Sequence, residues 1–271
     1  MGGSAELSDR LAILRLSGGA VQMWINVTSA PYTGAEVAFF MYGYVVWGDR
    51  PVLTRQQVAG VWFAVAVVPK KGFLARYRCR RVLHMLRQAG VTRCVLPPEM
   101  TEEAAGFGLL PVAVYELRRA MLPQLLEMQG DLRHSTALLR AGHVSPSVYD
   151  AALVLARRVR YLALDTGGGT EMLARELRQR LGLCVGCVGR PAVTVSFGGA
   201  PSGSTICLGE DCRLYQRIEY SLSGEKLGTW PLSEQLLAAL FEAGGIKKEE
   251  IRVKTIVTTL DTGTETYYNA T

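Results

Sequence analysis

Residues 161–183, YLALDTGGGTEMLARELRQRLGL, hold the pattern with the clearest chemical meaning in this chain. An apolar run ends in Asp165, the glycines Gly167–Gly169 follow, and an amphipathic segment starts at Thr170. This order predicts a strand, a glycine turn and a helix. The first N–H groups of a helix lack intrahelical partners and carry partial positive charge. The turn therefore suits a phosphate or another anion.

Two interpretations of this turn stay open on the sequence alone. If it binds a ligand, backbone or hydroxyl donors come from Gly167, Gly168, Gly169 and Thr170, and Asp165 positions the turn. Alternatively, the glycines only turn the chain and let the helix pack close to the sheet, because glycine is the default residue of tight turns. Neither interpretation names a cofactor or a reaction.

The turn resembles in part the fingerprint of the dinucleotide-binding Rossmann proteins, G-x-G-x-x-G. Gly167 and Gly169 match its first two glycines, and Met172 stands at the third. The family places an acidic residue after the next strand, but LCVGCVGRP has none there. Its Arg190 could face a phosphorylated ribose instead.

Two further families share part of the pattern. Asp165, Gly167 and Gly169 resemble the D-x-G-x-G-x-G motif of the S-adenosylmethionine-dependent methyltransferases, with Glu171 in place of the last glycine. The stretch LDTGGGTE is similar to a phosphate loop of the actin-like ATPases. In that family the glycines lead into another strand, whereas the helical period after Thr170 disfavours a strand here.

The order of predicted elements indicates an α/β fold with a Rossmann-like parallel or mixed sheet at its core. We expect a β-rich N-terminal segment at 1–70, the Rossmann-like core at 71–200 and an α+β segment at 201–271. Short strands that alternate with helices predict a parallel sheet covered on both faces. The loops that follow its strands should share one edge with the glycine turn. These loops come after Leu96, Ala141, Thr166 and Gly189.

Several helices can be placed from their patterns. Residues 73–89 carry a buried stripe at helical spacing, formed by Cys79, Val82, Leu83 and Leu86. Ser145 is a suitable N-cap before Pro146, and the helix predicted for 115–130 should kink or restart at Pro123. In the helix after the glycine turn, we expect one face to hold Leu173, Leu177 and Leu181.

The chain has a net charge of +6, which permits contact with nucleic acid, anionic lipid or a phosphate-bearing small ligand. Arg76, Arg80 and Arg87 share one helix face, and a solvated face explains them better than a nucleic-acid surface. The apolar runs 35–47 and 58–68 are shorter than the roughly 20 residues of a membrane helix, so we expect no membrane contact.

Six cysteines occur, in two close pairs and two single positions. Cys184 and Cys187, with Cys207 and Cys212, resemble the spacing of a zinc site, but LCVGCVG reads as a strand. We therefore expect buried free thiols and no metal. The start MGGSAELSDR lacks the pattern of a signal peptide, which favours a reducing, cytoplasmic setting.

The sequence thus supports two functions. One is a nucleotide- or phosphate-binding protein, enzymatic or not, with its site at the glycine turn. The other is a non-catalytic scaffold or assembly protein with a degenerate Rossmann-like fold.

Overall fold

The computed structural model describes residues 11–14, 23–26, 42–70, 74–186, 190–198, 204–210, 212, 216–224, 226–259 and 265–269. For 11–14, 23–26, 258–259 and 265–269 it describes only the backbone. The contacts divide the chain into two compact units: Met1–Val112 with Glu225–Ile246, and Ala113–Gly224 with Lys247–Thr271. The boundaries predicted near residues 70 and 200 are not those of the contact units. The predicted division into segments 1–70, 71–200 and 201–271 concerns pieces that fold separately, and it stays a prediction.

Strands and helices alternate between residues 61 and 185. The strands are β1 Leu11–Leu14, β2 Met23–Asn26, β3 Tyr42–Gly48, β4 Val52–Val58, β5 Val61–Pro69, β6 Arg93–Val95, β7 Leu110–Pro111, β8 Thr136–Ala141, β9 Tyr161–Thr166, β10 Cys184–Val185, β11 Val193–Ser196, β12 Thr205–Cys207, β13 Gln216–Leu222, β14 Ile251–Thr259 and β15 Glu265–Asn269. The helices are α1 Ala75–Gln88, α2 Thr101–Ala105, α3 Tyr115–Glu127, α4 Pro146–Ala156, α5 Thr170–Leu181 and α6 Glu234–Glu242, with short 3-10 turns at Pro98–Met100 and Lys248–Glu250.

The first unit holds a five-stranded sheet in the order β4-β5-β3-β6-β7. Its strands pair in parallel, except for β4, which runs antiparallel to β5. Helix α1 packs on this sheet through the predicted stripe, since Cys79, Val82, Leu83 and Leu86 are all buried. The strands β1 and β2 form a separate antiparallel pair.

Segment 225–246 belongs to the first unit through specific contacts. The Trp230 ring lies 4.5 Å from that of Tyr44 and 5.6 Å from that of Phe63. The Leu96 N–H donates to Oε1 of Gln235 at 2.9 Å. Tyr44 and Phe63 are therefore part of the core, as expected for aromatic residues on a strand.

The second unit holds a parallel five-stranded sheet in the order β10-β9-β8-β11-β12. Counted along the chain, this is the order 3-2-1-4-5 of a Rossmann fold. The chain is thus an α/β protein with a Rossmann-like sheet, as the sequence predicts. The prediction of one shared edge is wrong in part, because the loop after Leu96 belongs to the other sheet. Gly189 lies outside the described residues.

The two faces of the Rossmann-like sheet differ. Paired residues on neighbouring strands share a face. On the first face Ala137, Leu139, Leu162, Val193 and Val195 are fully buried, and α4 and α5 contact their strands. The second face is here called the open face. Along β8 and β9 its side chains are half-buried or exposed, namely Thr136, Leu138, Arg140, Tyr161, Ala163 and Asp165. The prediction of a sheet covered on both faces is wrong there.

Helix α3 runs without interruption through Pro123, so the predicted restart is wrong. An interior proline costs a hydrogen bond and about 3 kcal/mol. Here Leu122, Leu125 and Leu126 are buried on both sides of Pro123, and this burial holds the helix together. In α5, Leu181 is 40% exposed and does not continue the buried stripe. Eight residues after Leu173, the helix has turned by roughly 80° beyond two full turns.

A buried arginine ties α3 to the strands beside it. Arg118 has no exposed surface, and its guanidinium donates to the carbonyl oxygens of Cys207, Cys212 and Gln216 at 2.7–3.4 Å. Three carbonyl dipoles thus compensate part of the cost of burying this charge. The side chain of Gln124 likewise joins α3 to the backbone of β14.

We expect Arg118→Met to lower the free energy of unfolding by about 3 kcal/mol, because it removes charged donors from buried carbonyls. Urea unfolding followed by circular dichroism measures this change. The matched control is Arg133→Met, since the Arg133 side chain is 84% exposed. It should change stability by less than about 0.5 kcal/mol. Equal losses in both variants would contradict the assigned role.

Candidate functional site

The glycine turn lies where the sequence places it, between β9 and α5, and it is joined to the loop after β8. The Gly167 N–H donates to the Ala141 carbonyl at 3.3 Å. The Val144 N–H donates to the Gly168 carbonyl, also at 3.3 Å. Because β8 and β9 are parallel neighbours, both loops lie at the carboxyl edge of the sheet.

Each of the three glycines meets a different environment. A Cβ on Gly167 would lie 2.4 Å from the Gly142 carbonyl oxygen. Gly169 has a φ of +77°, and its Cβ would lie 3.2 Å from the Val144 side chain. Among the described residues, no heavy atom lies within 4 Å of the Cβ position of Gly168, apart from those of Gly168 and its two neighbours in the chain. All three glycines are exposed, but packing explains Gly167 and Gly169, whereas Gly168 faces open space.

Thr170 begins α5 and fastens its first turn to the end of β9. Its Oγ1 donates to the Thr166 carbonyl at 2.9 Å and also contacts the Thr166 hydroxyl. Gly169 is the N-cap residue and has no side chain to cap the helix. The first N–H groups of α5 therefore lie next to the exposed glycine turn. The exposed Glu171 belongs to the first turn of the helix.

Asp165 forms an ion pair on the open face. Its Oδ2 accepts a hydrogen bond from Nε of Arg140 at 2.9 Å. The two side chains are 61% and 42% exposed, so the pair adds little to stability. The pair directs the Arg140 guanidinium toward the end of β9.

The strand order identifies a feature that the sequence does not reveal. β8 is the central strand, and the chain leaves it toward β9 on one side and returns to β11 on the other. In open α/β sheets, ligands bind beside such a switch point, outside the carboxyl ends of the strands. The loop 142–145 therefore borders the switch point directly, and the glycine turn lies one strand further out.

Arg119 of α3 also lies at this edge. Its Nη1 donates to Oγ of Ser147 at 3.2 Å and to Oε1 of Glu116 at 2.7 Å. The guanidinium stacks on Tyr115 and on Phe197, which follows β11, at 4.6 and 5.3 Å from the ring centres. Its Nε is buried without a hydrogen-bond partner among the described residues. Nothing in the local pattern distinguishes Arg119 from the other arginines, so sequence reasoning missed it.

The cysteines divide by exposure. Cys184 is exposed, while Cys79, Cys94, Cys207 and Cys212 are buried free thiols. Cys187, on which the zinc interpretation depends, lies outside the described residues. Within the described part of the chain, no group of three or more Cys, His, Asp or Glu side chains is arranged to hold a metal ion.

Acidic side chains lie close to several of the arginines on the surface of the protein. Arg80 lies 3.5 Å from Glu103, and Arg158 lies 2.8 Å from Glu127. Glu99 and Glu102 line the same cleft as Arg76 and Arg80. These surfaces therefore carry mixed charge, which is typical of a solvated face.

The comparisons with known proteins add a weak structural likeness. Known protein families and curated protein sequences give no match. Among solved structures, the chain is similar to the L-tryptophan dehydrogenase from Nostoc punctiforme, at 9% identity and a TM-score of 0.29. The likeness covers 74% of this chain and 72% of that one. Similarity at this level assigns no function to the chain.

No helix in the described ranges is both long and apolar enough to cross a membrane.

The three glycines should respond differently to alanine. Gly167→Ala forces the backbone away from Gly142, and Gly169→Ala places a side chain at positive φ. Each should cost about 1–2 kcal/mol of folding free energy. Gly168→Ala should stay within about 0.5 kcal/mol of the parent. Urea denaturation of the three variants measures these changes, and an equally large loss for Gly168→Ala would refute the packing assignment.

Thiol labelling should follow burial. Burial raises the pKa of the Cys94 thiol to about 12. It also raises that of Cys79 to about 11, where the nearby Glu103 adds to the shift. Since only the thiolate reacts, iodoacetamide at pH 8 should modify the exposed Cys184 well before Cys79 or Cys94. Peptide mass mapping over time gives the order, with the urea-unfolded chain as control. Equal rates in the folded protein would contradict this prediction.

Proposed function

We propose that this protein binds a small phosphate-bearing ligand, such as a nucleotide, at the carboxyl edge of its Rossmann-like sheet. Gly168 is the observation that carries the proposal. Like its two neighbours it is exposed, but it alone of the three meets open space, and it lies directly before Gly169, the N-cap residue of α5. The contacts of Gly167 and Gly169 give packing reasons for glycine at those positions, and Gly168 has no such reason.

The chemistry available at the turn is that of a backbone anion site. The amides that open α5 point toward the N-terminal end of the helix, where the helix dipole favours negative charge. Without a side chain at Gly168, a phosphate can approach these amides closely. The hydroxyl of Thr170 is already bonded to Thr166, so Thr170 would contribute its backbone N–H.

The other candidate residues would support the turn. Gly167 and Gly169 allow the close approach of the 142–145 loop, and this approach fixes the turn before any ligand arrives. Asp165 would act through its ion pair with Arg140. Glu171 opposes an anion, since its carboxylate belongs to the same first turn.

A non-catalytic scaffold is the second candidate function. The observation that favours it is that Gly167, Gly169, Asp165 and Thr170 all have partners or packing reasons within the protein. A thermal-shift screen with NAD(P), S-adenosylmethionine, ATP and inorganic phosphate separates the two candidates. Stabilisation by any of them supports the binding protein, and no stabilisation by all of them supports the scaffold.

The binding proposal is tested by changing charge at the turn. For whichever ligand the screen identifies, we expect Gly168→Glu to weaken binding by at least about tenfold, because it blocks and repels the phosphate. Glu171→Gln should strengthen binding by a few-fold, since it removes a like charge. Isothermal titration calorimetry measures both affinities.

The matched control is Gln179→Glu, which adds the same charge at an exposed position near the other end of α5. It should leave the affinity unchanged. If Gly168→Glu binds the ligand as tightly as the parent, the ligand does not occupy the turn and the proposal fails.

A further inference from the structure

A groove in the first unit lies between helix α1 and the start of β4, and it is here called the α1 groove. Its volume is about 480 Å³. Small-molecule sites have volumes of roughly 300–1,000 Å³, so the α1 groove has a suitable size. Because β4 is the edge strand of its sheet, no further described strand covers the groove from that side.

Most of the lining of the α1 groove is apolar. Leu74, Tyr77 and Met85 line it and are 38–63% exposed. Val82 is buried in the core between α1 and the sheet, and Leu53 of β4 packs against the same core. The base of the groove is therefore continuous with the core, and the three exposed side chains extend this apolar surface toward water. An apolar ligand would displace that water at a gain in free energy.

The charge in the α1 groove has one sign. Its lining contains Arg78 and Arg81 and, among the described residues, no carboxylate. Both arginines are exposed, and neither forms an ion pair within the described part of the chain. The other side of α1 differs, since Arg80 lies 3.5 Å from Glu103 there. The groove therefore favours an anion, while the opposite side of the helix carries mixed charge.

The spacing of the two arginines brings them to one ligand. Residues three apart on a helix are neighbours, with Cβ atoms about 5–6 Å apart. Arg78 and Arg81 have this spacing within α1, and both line the same groove. Two like charges so close together repel each other, and an anion bound between them relieves this repulsion.

Position around the helix separates an apolar base from a charged opening. Successive residues of a helix are turned by about 100°. Counted from the buried Val82, Met85 lies about 60° and Arg81 about 100° further round α1, away from the other buried residues. Arg78 lies nearer to Val82, but it is exposed, and a long arginine side chain keeps its charged end in water beside an apolar surface.

We propose that the α1 groove binds an amphipathic carboxylic acid. Its hydrocarbon part lies against Leu53, Val82 and Met85, and its carboxylate lies between Arg78 and Arg81. A planar guanidinium fits a carboxylate with two parallel hydrogen bonds. The only hydroxyl group of the described lining is that of Tyr77, so the groove offers few further donors to a phosphate.

The test titrates the full chain by calorimetry with decanoate, hexanoate and decyltrimethylammonium. Decanoate should show saturable binding. Hexanoate should bind at least about tenfold more weakly, since each buried CH₂ contributes up to about a factor of four. Decyltrimethylammonium has the same tail with the opposite charge, and it should also bind at least about tenfold more weakly. No saturable binding of decanoate, or equal binding of either other compound, overturns the proposal.

Substitutions in the groove locate the binding. Arg78→Gln and Arg81→Gln should each weaken decanoate binding by about three- to tenfold, and Met85→Ala should weaken it by about fivefold. The matched control is Arg76→Gln, which removes the same charge from the side of α1 that shares a cleft with Glu102. It should leave the affinity unchanged. Decanoate binding that is insensitive to both Arg78→Gln and Arg81→Gln overturns the proposed site.

Gly168→Glu separates this proposal from the glycine turn, since Gly168 belongs to the second unit. It should leave decanoate binding unchanged, so either proposal can fail without the other. A loss of decanoate binding in Gly168→Glu would place the acid at the glycine turn and overturn the α1 groove as its site.

A second copy of the chain is the competing occupant, because exposed apolar residues beside an edge strand also suit an interface. Sedimentation equilibrium of the parent and of Met85→Glu distinguishes the two. We expect the same oligomeric state for both proteins. If Met85→Glu dissociates an oligomer, the groove is a contact between copies and the proposal is overturned.

Discussion

The loops after β8 and β9 approach each other closely at the carboxyl edge of the Rossmann-like sheet, and this contact determines the shape of that edge. The chain at Gly167 passes so near the Gly142 carbonyl that no Cβ fits between them, and hydrogen bonds join the two loops at the same point. Since β8 and β9 are adjacent parallel strands, this contact sets the relative position of the starts of α4 and α5. A ligand at this edge would meet a turn that is already held in place, which reduces the ordering cost of binding.

The asymmetry of the two sheet faces follows from the length of one connection. Residues 186–192 join β10 to β11, and this is shorter than the dozen or so residues that a helical crossover needs. The helices α4 and α5 belong to the crossovers on the other side of β8, and both contact the buried face. The strand order is therefore that of a Rossmann-like sheet, while the crossover helices that the structure describes, α4 and α5, contact strands on one side of β8. The polar residues Thr136, Arg140 and Asp165 on β8 and β9 are consistent with this arrangement, since they tolerate water.

Local patterns predict the elements well, because their causes are local. The stripe of α1 and the cap at Ser145, whose Oγ accepts a hydrogen bond from the Val148 N–H at 3.4 Å, need only spacing and side-chain chemistry. The division into two sheets depends on which strands pair over long distances, and no pattern near Leu96 reveals that its strand joins a different sheet from β8. Arg118 shows the same limit, since its three carbonyl partners come from residues about 90 positions later in the chain.

The candidate site shows which features can be predicted from the sequence and which depend on the folded structure. The spacing around the turn predicts a strand, glycines and a helix, and all three are present. The reason for each glycine is a distance to another loop, and that distance depends on the register of β8 against β9. The same register places Arg140 opposite Asp165 on the open face, where the two side chains form their ion pair. A single pairing of two strands therefore fixes the glycine turn and the Arg140–Asp165 ion pair, although these residues are 24–26 positions apart along the chain.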